Sequence, residues 1–377
     1  MSLAEIAQVV STPMPPAEGI SVYATGLSSY LRRRGYNVTI LSNDATPGSE
    51  LIDRRGSVRT GFSPPNTYPL QGFTLARLVE KRLSRLDPRP EMVHVHSPLI
   101  AGLHSETPSV VTFHTPIVAD VLHYELWGKF GWLSRMQAPF SWLSEASVLY
   151  SSKAITAVSE RVRRDLLRTH PLKRNVSILG NAVDPSEFIA SDRMKIDPPV
   201  ILHKGRLAPR KGVPEFLAAA SALVEDGVRA RFILSGTGPL AAWAERYIRS
   251  HRIQNAVKIE APTSRENVPA TYARASVFVL CSRYEGLSTA LLEAMSCALP
   301  LVCTRNGSNE TLVRDELEGL LVEVGDPEAV AEAIRRLIEN PAFANELGQR
   351  ARERVIKNNS WEVVGPKVER IYESCWS

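Results

Sequence analysis

The sequence predicts an α/β protein made of two doubly wound, Rossmann-like domains that face a cleft. Its 377 residues are enough for two domains of ordinary size. Short runs rich in β-branched residues alternate with longer helical patterns, and the whole alternation occurs twice along the chain. Several short runs are apolar on both faces, which is typical of parallel strands covered by helices. Since such sheets bind ligands at the carboxyl ends of their strands, the pattern predicts a binding cleft.

The predicted elements follow one another along the chain. The strands of the first half are Glu5–Thr12, Asn37–Asn43, Met92–Ser97, Ser109–Thr115, Ala154–Ser159 and Asn175–Asn181. The strands of the second half are Pro199–Gly205, Arg229–Gly236, Ala256–Ala261, Ser276–Ser282 and Leu299–Thr304. The clearest helical stretches between them are Tyr23–Arg34, Val213–Glu225, Leu240–Ser250 and Pro327–Asn340.

A polar segment in mid-chain, Ala190–Pro199, ends in two prolines and is typical of a linker. It predicts a first domain of residues 1–190 and a second domain of residues 198–360. The amphipathic stretch Trp361–Trp376 follows once the second domain is complete. Residues 361–377 are therefore expected to return to the first domain.

Composition excludes several classes of protein. Hydrophobic residues are 44% and charged residues 23%, and no apolar run is long enough for a spanning helix. A net charge of +5 is too small to predict nucleic-acid binding. The four cysteines form no C-x-x-C pair, which argues against a zinc site or a disulfide scaffold. Met1–Val10 lacks a basic n-region, so no signal peptide is expected and a cytoplasmic location is predicted.

Basic residues are clustered in the predicted first domain, in Arg32–Arg34, Arg77–Arg89 and Lys153–Arg174. Such clusters fit solvated helix surfaces. The alternative is attraction to anionic lipid headgroups or to a phosphorylated acceptor. The aromatic-rich stretch His123–Tyr150 leaves a similar choice between helix packing and an acceptor groove or a membrane-facing surface.

The most informative segment is Ser282–Met295, in which a loop follows a predicted strand and leads into a helix. Gly286 lets the backbone approach a ligand closely. Ser288 or Thr289 can cap the helix, whose N-terminus suits a phosphate. The alternative is an ordinary strand–loop–helix unit with a helix cap and one surface glutamate.

Two pairs of charged side chains are candidate catalytic or ligand-binding residues. Glu285 lies in this loop and Glu293 lies just over one helical turn inside the helix, so the two carboxylates can address two parts of one ligand. Arg206 and Lys211 lie in the loop Lys204–Gly212 after another predicted strand, and they can converge on one anion. A guanidinium with an ammonium suits a diphosphate. The alternative for the second pair is a basic loop over the sheet edge.

Other signals are weaker. The Gly-x-Gly pattern in Ser235–Pro239 is explained mostly by the preference for glycine in tight turns. Gly19, in Pro16–Ile20, would admit a phosphate, but the G-x-G-x-x-G fingerprint of a dinucleotide site is absent. His94 and His96 point to one side of a strand, yet no third ligand accompanies them. The chain also has no Asp-x-Asp pair, so no metal and no other cofactor is expected.

Taken together, these segments resemble the retaining glycosyltransferases of family 4, which have the GT-B fold. The resemblance covers nearly the whole chain. The matching pieces are Asn181–Asp184, Gly205–Gly212, Gly236–Pro239, Glu285 and Glu293 with their E-x7-E spacing, and the series from Pro300 to Asp326.

The resemblance implies a role for each matching side chain. Arg206 and Lys211 would hold the donor diphosphate and stabilise it as it leaves. Glu293 would bind the ribose hydroxyls of the nucleotide. Glu285 would contact the donor sugar near the reacting carbon, and His114 would lie near the donor sugar and the acceptor.

Backbone contacts are implied as well, within a first domain that binds the acceptor and a second that binds the donor. Gly19 would let its loop reach the donor phosphate, although the family's Gly-Gly pair is replaced here by Glu18-Gly19. Sugar or phosphate contacts are implied for the amides of Gly286, Leu287, Ser288 and Thr289.

The implied activity is that of a metal-independent, retaining hexosyltransferase. It would move a sugar from a nucleoside-diphosphate sugar, UDP before GDP, to a hydroxyl of a glycan, a lipid-linked acceptor or a small molecule. The leaving phosphate oxygen would take the acceptor proton, while Glu285 stabilises an oxocarbenium-like transition state. The alternatives are a GT-B nucleotide-sugar epimerase, a pseudo-glycosidic coupling enzyme, or a non-catalytic sugar-nucleotide binding protein. Peripheral contact with the cytoplasmic membrane face is expected only for a membrane-proximal acceptor, and no nucleic-acid partner is expected.

Overall fold

The computed structural model describes residues 4–11, 19–43, 50–52, 58–62, 71–97, 100–118, 128–189 and 196–376. The chain divides into two compact units. The first unit is Met1–Ala182 with Trp361–Ser377, and the second unit is Val183–Ser360.

The first unit ends earlier than the expected boundary at residues 190–198. The backbone N–H of Val183 donates to the carbonyl of Asn359 at 2.9 Å, and Val183 also forms a parallel bridge with Ser360. Phe188 is fully buried in an apolar cluster of the second unit. The residues just before the expected linker therefore pack into the second unit. Residues 190–195 of that linker lie outside the described residues.

The strands, named in chain order, cover short and mostly buried runs. Within the described residues they are β1 (Glu5–Val10), β2 (Asn37–Asn43), β3 (Glu50–Ile52), β4 (Val58–Phe62), β5 (Met92–Ser97), β6 (Ser109–Phe113), β7 (Ala154–Ala157), β8 (Val176–Ile178), β9 (Val200–Lys204), β10 (Arg231–Ser235), β11 (Val257–Glu260), β12 (Val277–Leu280), β13 (Leu301–Thr304) and β14 (Leu320–Val322).

In the part of the chain that the structure describes, each unit has one sheet. Among the described residues, the first unit has an eight-stranded sheet in the order β3-β4-β2-β1-β5-β6-β7-β8, in which β3 runs antiparallel to β4. The second has a six-stranded parallel sheet in the order β11-β10-β9-β12-β13-β14. Every residue of β5, β6, β12 and β13 is buried. The doubly wound α/β prediction is confirmed.

The helices lie between the strands. Those of the described residues are α1 (Gly19–Arg33), α2 (Gln71–Leu83), α3 (Gly128–Ser151), α4 (Glu160–Thr169), α5 (Val213–Glu225), α6 (Ala241–Ser250), α7 (Val268–Ala273), α8 (Thr289–Ser296), α9 (Asn309–Leu312), α10 (Pro327–Glu339), α11 (Pro341–Asn359) and α12 (Trp361–Trp376). Within the same residues, no helix has both the length and the apolar character to cross a bilayer.

The predicted strands are present, but several end earlier than the sequence indicates. Ser159 was predicted as the end of a strand, and it instead caps α4 by accepting a hydrogen bond from Val162 N at 3.2 Å. β3, β4 and β14 have no counterpart among the predicted strands. They are three, five and three residues long.

The C-terminal helix α12 packs on the first unit, as the sequence predicts. Tyr30 of α1 donates its hydroxyl to Glu369 of α12 at 2.7 Å, and the ammonium of Lys153 donates to the carbonyl of Cys375 at 2.6 Å. A Cβ at Gly26 of α1 would overlap the indole of Trp361, so the glycine permits this close packing.

Candidate active site

The candidate active site of the second unit lies at the carboxyl ends of β9, β12 and β13. These three strands are neighbours in the sheet. Lys204 is the last residue of β9, Ser282 follows β12 by two residues, and Thr304 is the last residue of β13. The sheet topology therefore brings together loops that are about 100 residues apart in sequence.

Lys211 and Glu285 form an ion pair between two of these loops. The Lys211 ammonium donates to the two carboxylate oxygens of Glu285 at 2.7 and 2.8 Å. Lys211 ends a short 3₁₀ helix, Pro209–Lys211, and Gly212 follows with φ +70°. A Cβ at Gly212 would overlap the carbonyl oxygen of Cys281. Gly212 thus allows the loop that carries Lys211 to approach the loop after β12.

The carboxylate of Glu285 is buried and remains ionised. Burial by itself raises its pKa, but Lys211 and Arg210 outweigh this effect and hold the pKa below the ordinary value. The hydroxyl of Ser282 donates to the same carboxylate at 2.6 Å. The side chain of Glu285 is 7% exposed and that of Lys211 is 18% exposed.

Glu293 is held separately by three side chains. The ammonium of Lys204 lies 3.4 Å from its carboxylate and the hydroxyl of Tyr272 donates to it at 2.8 Å, while Arg265 forms an ion pair with the other carboxylate oxygen. Burial raises the pKa of Glu293, yet Lys204 and Arg265 lower it further than burial raises it. Arg265 also lies 3.4 Å from Glu187. Glu293 is therefore a buried, ionised carboxylate with two cationic partners.

The loop between the two glutamates is fixed from both sides. Ser288 caps α8, because its hydroxyl accepts from Leu291 N at 3.3 Å. Gly286 and Ser288 are buried, whereas Leu287 and Thr289 are partly exposed. The hydroxyl of Ser308 donates to the carbonyls of Glu285 and Gly286 at 2.7 and 2.9 Å.

Arg206 is placed differently from Lys211. Its side chain is exposed and makes no hydrogen bond or ion pair with any described residue. The structure brings Lys211 onto Glu285 and leaves Arg206 in solvent. Their expected convergence on one anion stays a prediction about the ligand-bound state.

His114 of the first unit is buried with 7% of its surface exposed. It follows β6, and its Nε2 lies 3.3 Å from Nδ1 of His96. Nε2 of His96 in turn lies 2.8 Å from the side-chain oxygen of Gln8. Burial lowers the pKa of His114 to about 3, so the imidazole is neutral at neutral pH.

Gly19 is exposed at the first position of α1. The residues before it, Pro16–Glu18, lie outside the described residues, as do Tyr124 and Trp127 of the aromatic stretch. His94 and His96 are stacked at 4.3 Å between ring centroids. Among the described residues, no group of three histidine, cysteine, aspartate or glutamate side chains is arranged to hold a metal ion.

Several residues of the site were not identified from the sequence. Lys204, Arg265 and Tyr272 converge on Glu293, and Ser308 holds the loop after β12. Lys204 lies near the end of the predicted strand Pro199–Gly205, at the same sheet edge as Arg206, which is a signal that could have been used. Arg265 lies in a 3₁₀ turn, Arg265–Asn267, and Tyr272 lies in α7, and neither residue carries such a signal.

Comparisons with known proteins agree with this architecture. A family model described as Glycosyltransferase Family 4 matches residues 17–187, and one described as Glycosyl transferases group 1 matches residues 186–354. The glycogen synthase of Mycobacterium tuberculosis is 24% identical over 393 aligned residues, which cover 97% of this chain and 93% of that protein.

Two solved structures share the fold. Sucrose-phosphate synthase of Thermosynechococcus elongatus aligns with a TM-score of 0.83 at 19% identity, over 98% of each chain. Anabaena HepE in complex with UDP-glucose aligns with a TM-score of 0.77 at 14% identity, over 98% of this chain and 99% of that one. The expected GT-B fold is confirmed. With the two family models together spanning residues 17–354, the chain is a glycosyltransferase and belongs to family 4.

Proposed function

We propose that the protein transfers a sugar from a nucleoside-diphosphate sugar to an acceptor hydroxyl, retains the anomeric configuration and needs no metal ion. The observation that carries the proposal is the ion pair between the partly buried Lys211 and the buried Glu285 at the carboxyl edge of the sheet. It places an ammonium and an ionised carboxylate side by side, as a departing diphosphate and a developing oxocarbenium ion require. The UDP-glucose complex of the HepE structure supports a UDP-sugar before a GDP-sugar.

Each charged residue of the site then has its own role. Lys211 and the exposed Arg206 neutralise the diphosphate as its bond to the anomeric carbon breaks, in place of a divalent cation. Glu285 stabilises positive charge on the sugar. Glu293, kept ionised by Lys204 and Arg265, accepts hydrogen bonds from the ribose hydroxyls. The amides of Gly286, Leu287, Ser288 and Thr289, and Gly19 in the first unit, are assigned to phosphate or sugar oxygens.

The proton of the acceptor hydroxyl passes to the leaving phosphate oxygen. The low pKa of His114 supports this route, because an imidazole with a pKa of about 3 is a weak base at neutral pH. In the first unit, His114 is instead assigned to a substrate hydroxyl as a hydrogen-bond partner.

An acceptor at a membrane is favoured by one surface of the first unit. On α3, Phe140, Trp142 and Leu143 are 36%, 41% and 49% exposed. The indole of Trp142 donates to the carbonyl of Thr169 at 3.0 Å, which places Trp142 beside the basic helix α4. Apolar side chains next to cations suit an interface with anionic lipid.

The proposal is tested first by thermal shift with UDP-, GDP- and ADP-sugars. A donor at 100 times its Kd stabilises the folded protein by about 2.7 kcal/mol. Proton NMR of the product with the selected donor then gives the anomeric configuration. Sugar transfer with inversion, or conversion of the donor without an acceptor, would refute retaining transfer, and the second result would favour an epimerase. Binding without any turnover would favour a non-catalytic protein.

A further inference from the structure

Two chains of buried hydrogen bonds cross the sheet of the first unit. We call the first the His94 chain, which runs through Tyr372, His94, Thr112 and Thr156. We call the second the His114 chain, which runs through Ser28, Gln8, His96 and His114. All members of both chains are buried. Only the His114 chain ends on a residue that the proposed function assigns to substrate.

The direction of the His114 chain follows from its first link. The side-chain nitrogen of Gln8 donates to the hydroxyl of Ser28 at 2.8 Å, so the side-chain oxygen of Gln8 faces His96. That oxygen lies 2.8 Å from Nε2 of His96 and can only accept a hydrogen bond. Nε2 of His96 therefore carries the proton. Since a neutral imidazole has one N–H, Nδ1 of His96 carries a lone pair.

The same reasoning fixes His114. Nδ1 of His96 lies 3.3 Å from Nε2 of His114, and because this nitrogen of His96 accepts, the nitrogen of His114 must donate. The lone pair of His114 is thus left on Nδ1, which makes no hydrogen bond with any described residue. Burial lowers the pKa values of His96 and His114, so both stay neutral at neutral pH.

We propose that Gln8 and His96 are positioning residues that hold His114 as the Nε2–H tautomer, so that its Nδ1 can only accept a hydrogen bond from a substrate hydroxyl. The tautomer is a property of the free protein, whereas the role toward substrate rests on the proposed function. The substrate atom that meets His114 must then carry a hydrogen. Replacing that hydroxyl by fluorine or a methyl ether removes the donor and leaves two acceptors facing each other.

The tautomer can be read directly by NMR of the full chain labelled with ¹⁵N-histidine, without ligand. The signals of His114 are assigned by their loss in His114→Gln. The expected result is a protonated Nε2 and an unprotonated Nδ1. The opposite tautomer, or an equal mixture of the two, would overturn the proposal without any statement about catalysis.

Variants then test whether Gln8 is the cause. Gln8→Met removes the accepting oxygen, and Ser28→Ala removes its partner where Gln8→Met does not fold. Either change is expected to give a mixture of tautomers at His114. The matched control is Thr112→Val, which cuts the buried His94 chain and is expected to leave His114 as in the wild type. An unchanged tautomer in folded Gln8→Met and Ser28→Ala proteins would contradict the proposal that Gln8 sets the tautomer of His114 through the His114 chain.

Kinetics test the role of the His114 chain separately from the proposed function. With the donor selected by thermal shift, Gln8→Met is expected to lower kcat/KM about tenfold, the effect of one misdirected hydrogen bond. Thr112→Val is expected to keep the wild-type value. If Gln8→Met gives a mixture of tautomers and keeps the wild-type kcat/KM, His114 does not hydrogen-bond the substrate. The tautomer assigned to the free protein would not be affected by that result. An inactive wild-type protein with the expected tautomer would refute the proposed function alone.

Discussion

The ammonium of Lys211 lies 2.7 and 2.8 Å from the two carboxylate oxygens of Glu285. The positive charge of the ammonium and the negative charge of the carboxylate neutralise each other in a site with little access to solvent. A diphosphate that reaches Lys211 competes with Glu285 for the same ammonium. Under the proposed function, the pair would couple binding of the leaving group to the release of an ionised carboxylate at the reacting sugar.

Lys211→Ala is expected to slow sugar transfer strongly. The change removes one preorganised cation from the diphosphate, which costs about 2–4 kcal/mol of transition-state stabilisation. Steady-state kinetics with the selected donor measure the loss, and kcat should fall more than KM rises. Lys211→Arg keeps the charge and is expected to recover part of the activity.

The control for this variant is Lys258→Ala, which removes an exposed lysine from β11 of the same unit. It should leave kcat unchanged. Because removing Lys211 also leaves Glu285 buried without its cation, circular dichroism must first establish that Lys211→Ala is folded. A folded Lys211→Ala protein with wild-type kcat would contradict the role of the pair.

Glu293→Gln is expected to weaken binding of the nucleoside diphosphate. Glutamine keeps the size of the side chain but loses the charge that strengthens hydrogen bonds to ribose hydroxyls. A charged hydrogen bond is worth about 1.5–3 kcal/mol, so Kd for UDP should rise about 10- to 100-fold. Isothermal titration calorimetry measures it, with the exposed Glu245→Gln on α6 as the control. Equal UDP affinity in the variant and the wild type would argue against the ribose contact.

The sequence was sufficient for the main features of the second unit. The strand–loop–helix pattern and the spacing of Glu285 and Glu293 located the loop, and Ser288 was one of two residues predicted to cap the helix. The pairing of Glu285 with Lys211 could not be predicted, since it depends on how closely Gly212 lets two loops approach. That approach is a tertiary property, and no local pattern records it.

The basic cluster of the first domain shows another limit of sequence reasoning. Counted along the chain, the cations of Lys153–Arg174 outnumber the nearby acids. In the structure, Arg161 lies 2.8 Å from Asp165 and Arg163 lies 2.9 Å from Glu160. Arg174 donates to the carbonyls of Leu149, Ser152 and Lys153. A count of charges overestimates the number of cations available to bind a partner, because oppositely charged neighbours on a helix neutralise one another.

Activity is expected to persist in excess EDTA. In the proposed mechanism Lys211, Arg206 and the N-terminus of α8 carry the charge of the leaving diphosphate, so a divalent cation has no required role. Product formation is measured before and after dialysis against EDTA, and again after Mg²⁺ or Mn²⁺ is restored. Loss of activity that either metal restores would refute metal independence.

Stability is expected to fall as the pH is lowered below about 6.5, the pKa of a histidine in the unfolded chain. In the folded state, burial lowers the pKa values of His94 and His114 to about 3. Between these values the unfolded chain binds more protons than the folded chain, so protons favour unfolding. Each such histidine contributes about 1.4 kcal/mol per pH unit.

Urea unfolding between pH 5 and pH 8 measures this slope. His94→Gln removes one buried titrating group and should make the slope smaller by about 1.4 kcal/mol per pH unit. His104→Gln changes an exposed histidine of the same unit and should leave the slope as it is. The lowered pKa values of Glu285 and Glu293 act at lower pH, as the carboxylates of the unfolded chain protonate below about 4.3. A stability that does not change from pH 8 to pH 5 would contradict neutral, buried histidines.

Binding to anionic vesicles is expected to depend on Arg164, Arg168 and Trp142. Arg164 is exposed, and the side chain of Arg168 is 77% exposed although it lies 3.9 Å from Asp165. Both arginines lie on α4, the helix that Trp142 of α3 contacts. Each well-placed arginine contributes about 1 kcal/mol at an anionic surface. Co-sedimentation should show binding to anionic but not neutral vesicles, and 1 M salt should abolish it as the Debye length falls to about 3 Å. Arg164→Ser with Arg168→Ser should lose binding, whereas Arg249→Ser on the second unit should keep it. Equal, negligible binding to both kinds of vesicle would instead indicate an acceptor away from membranes.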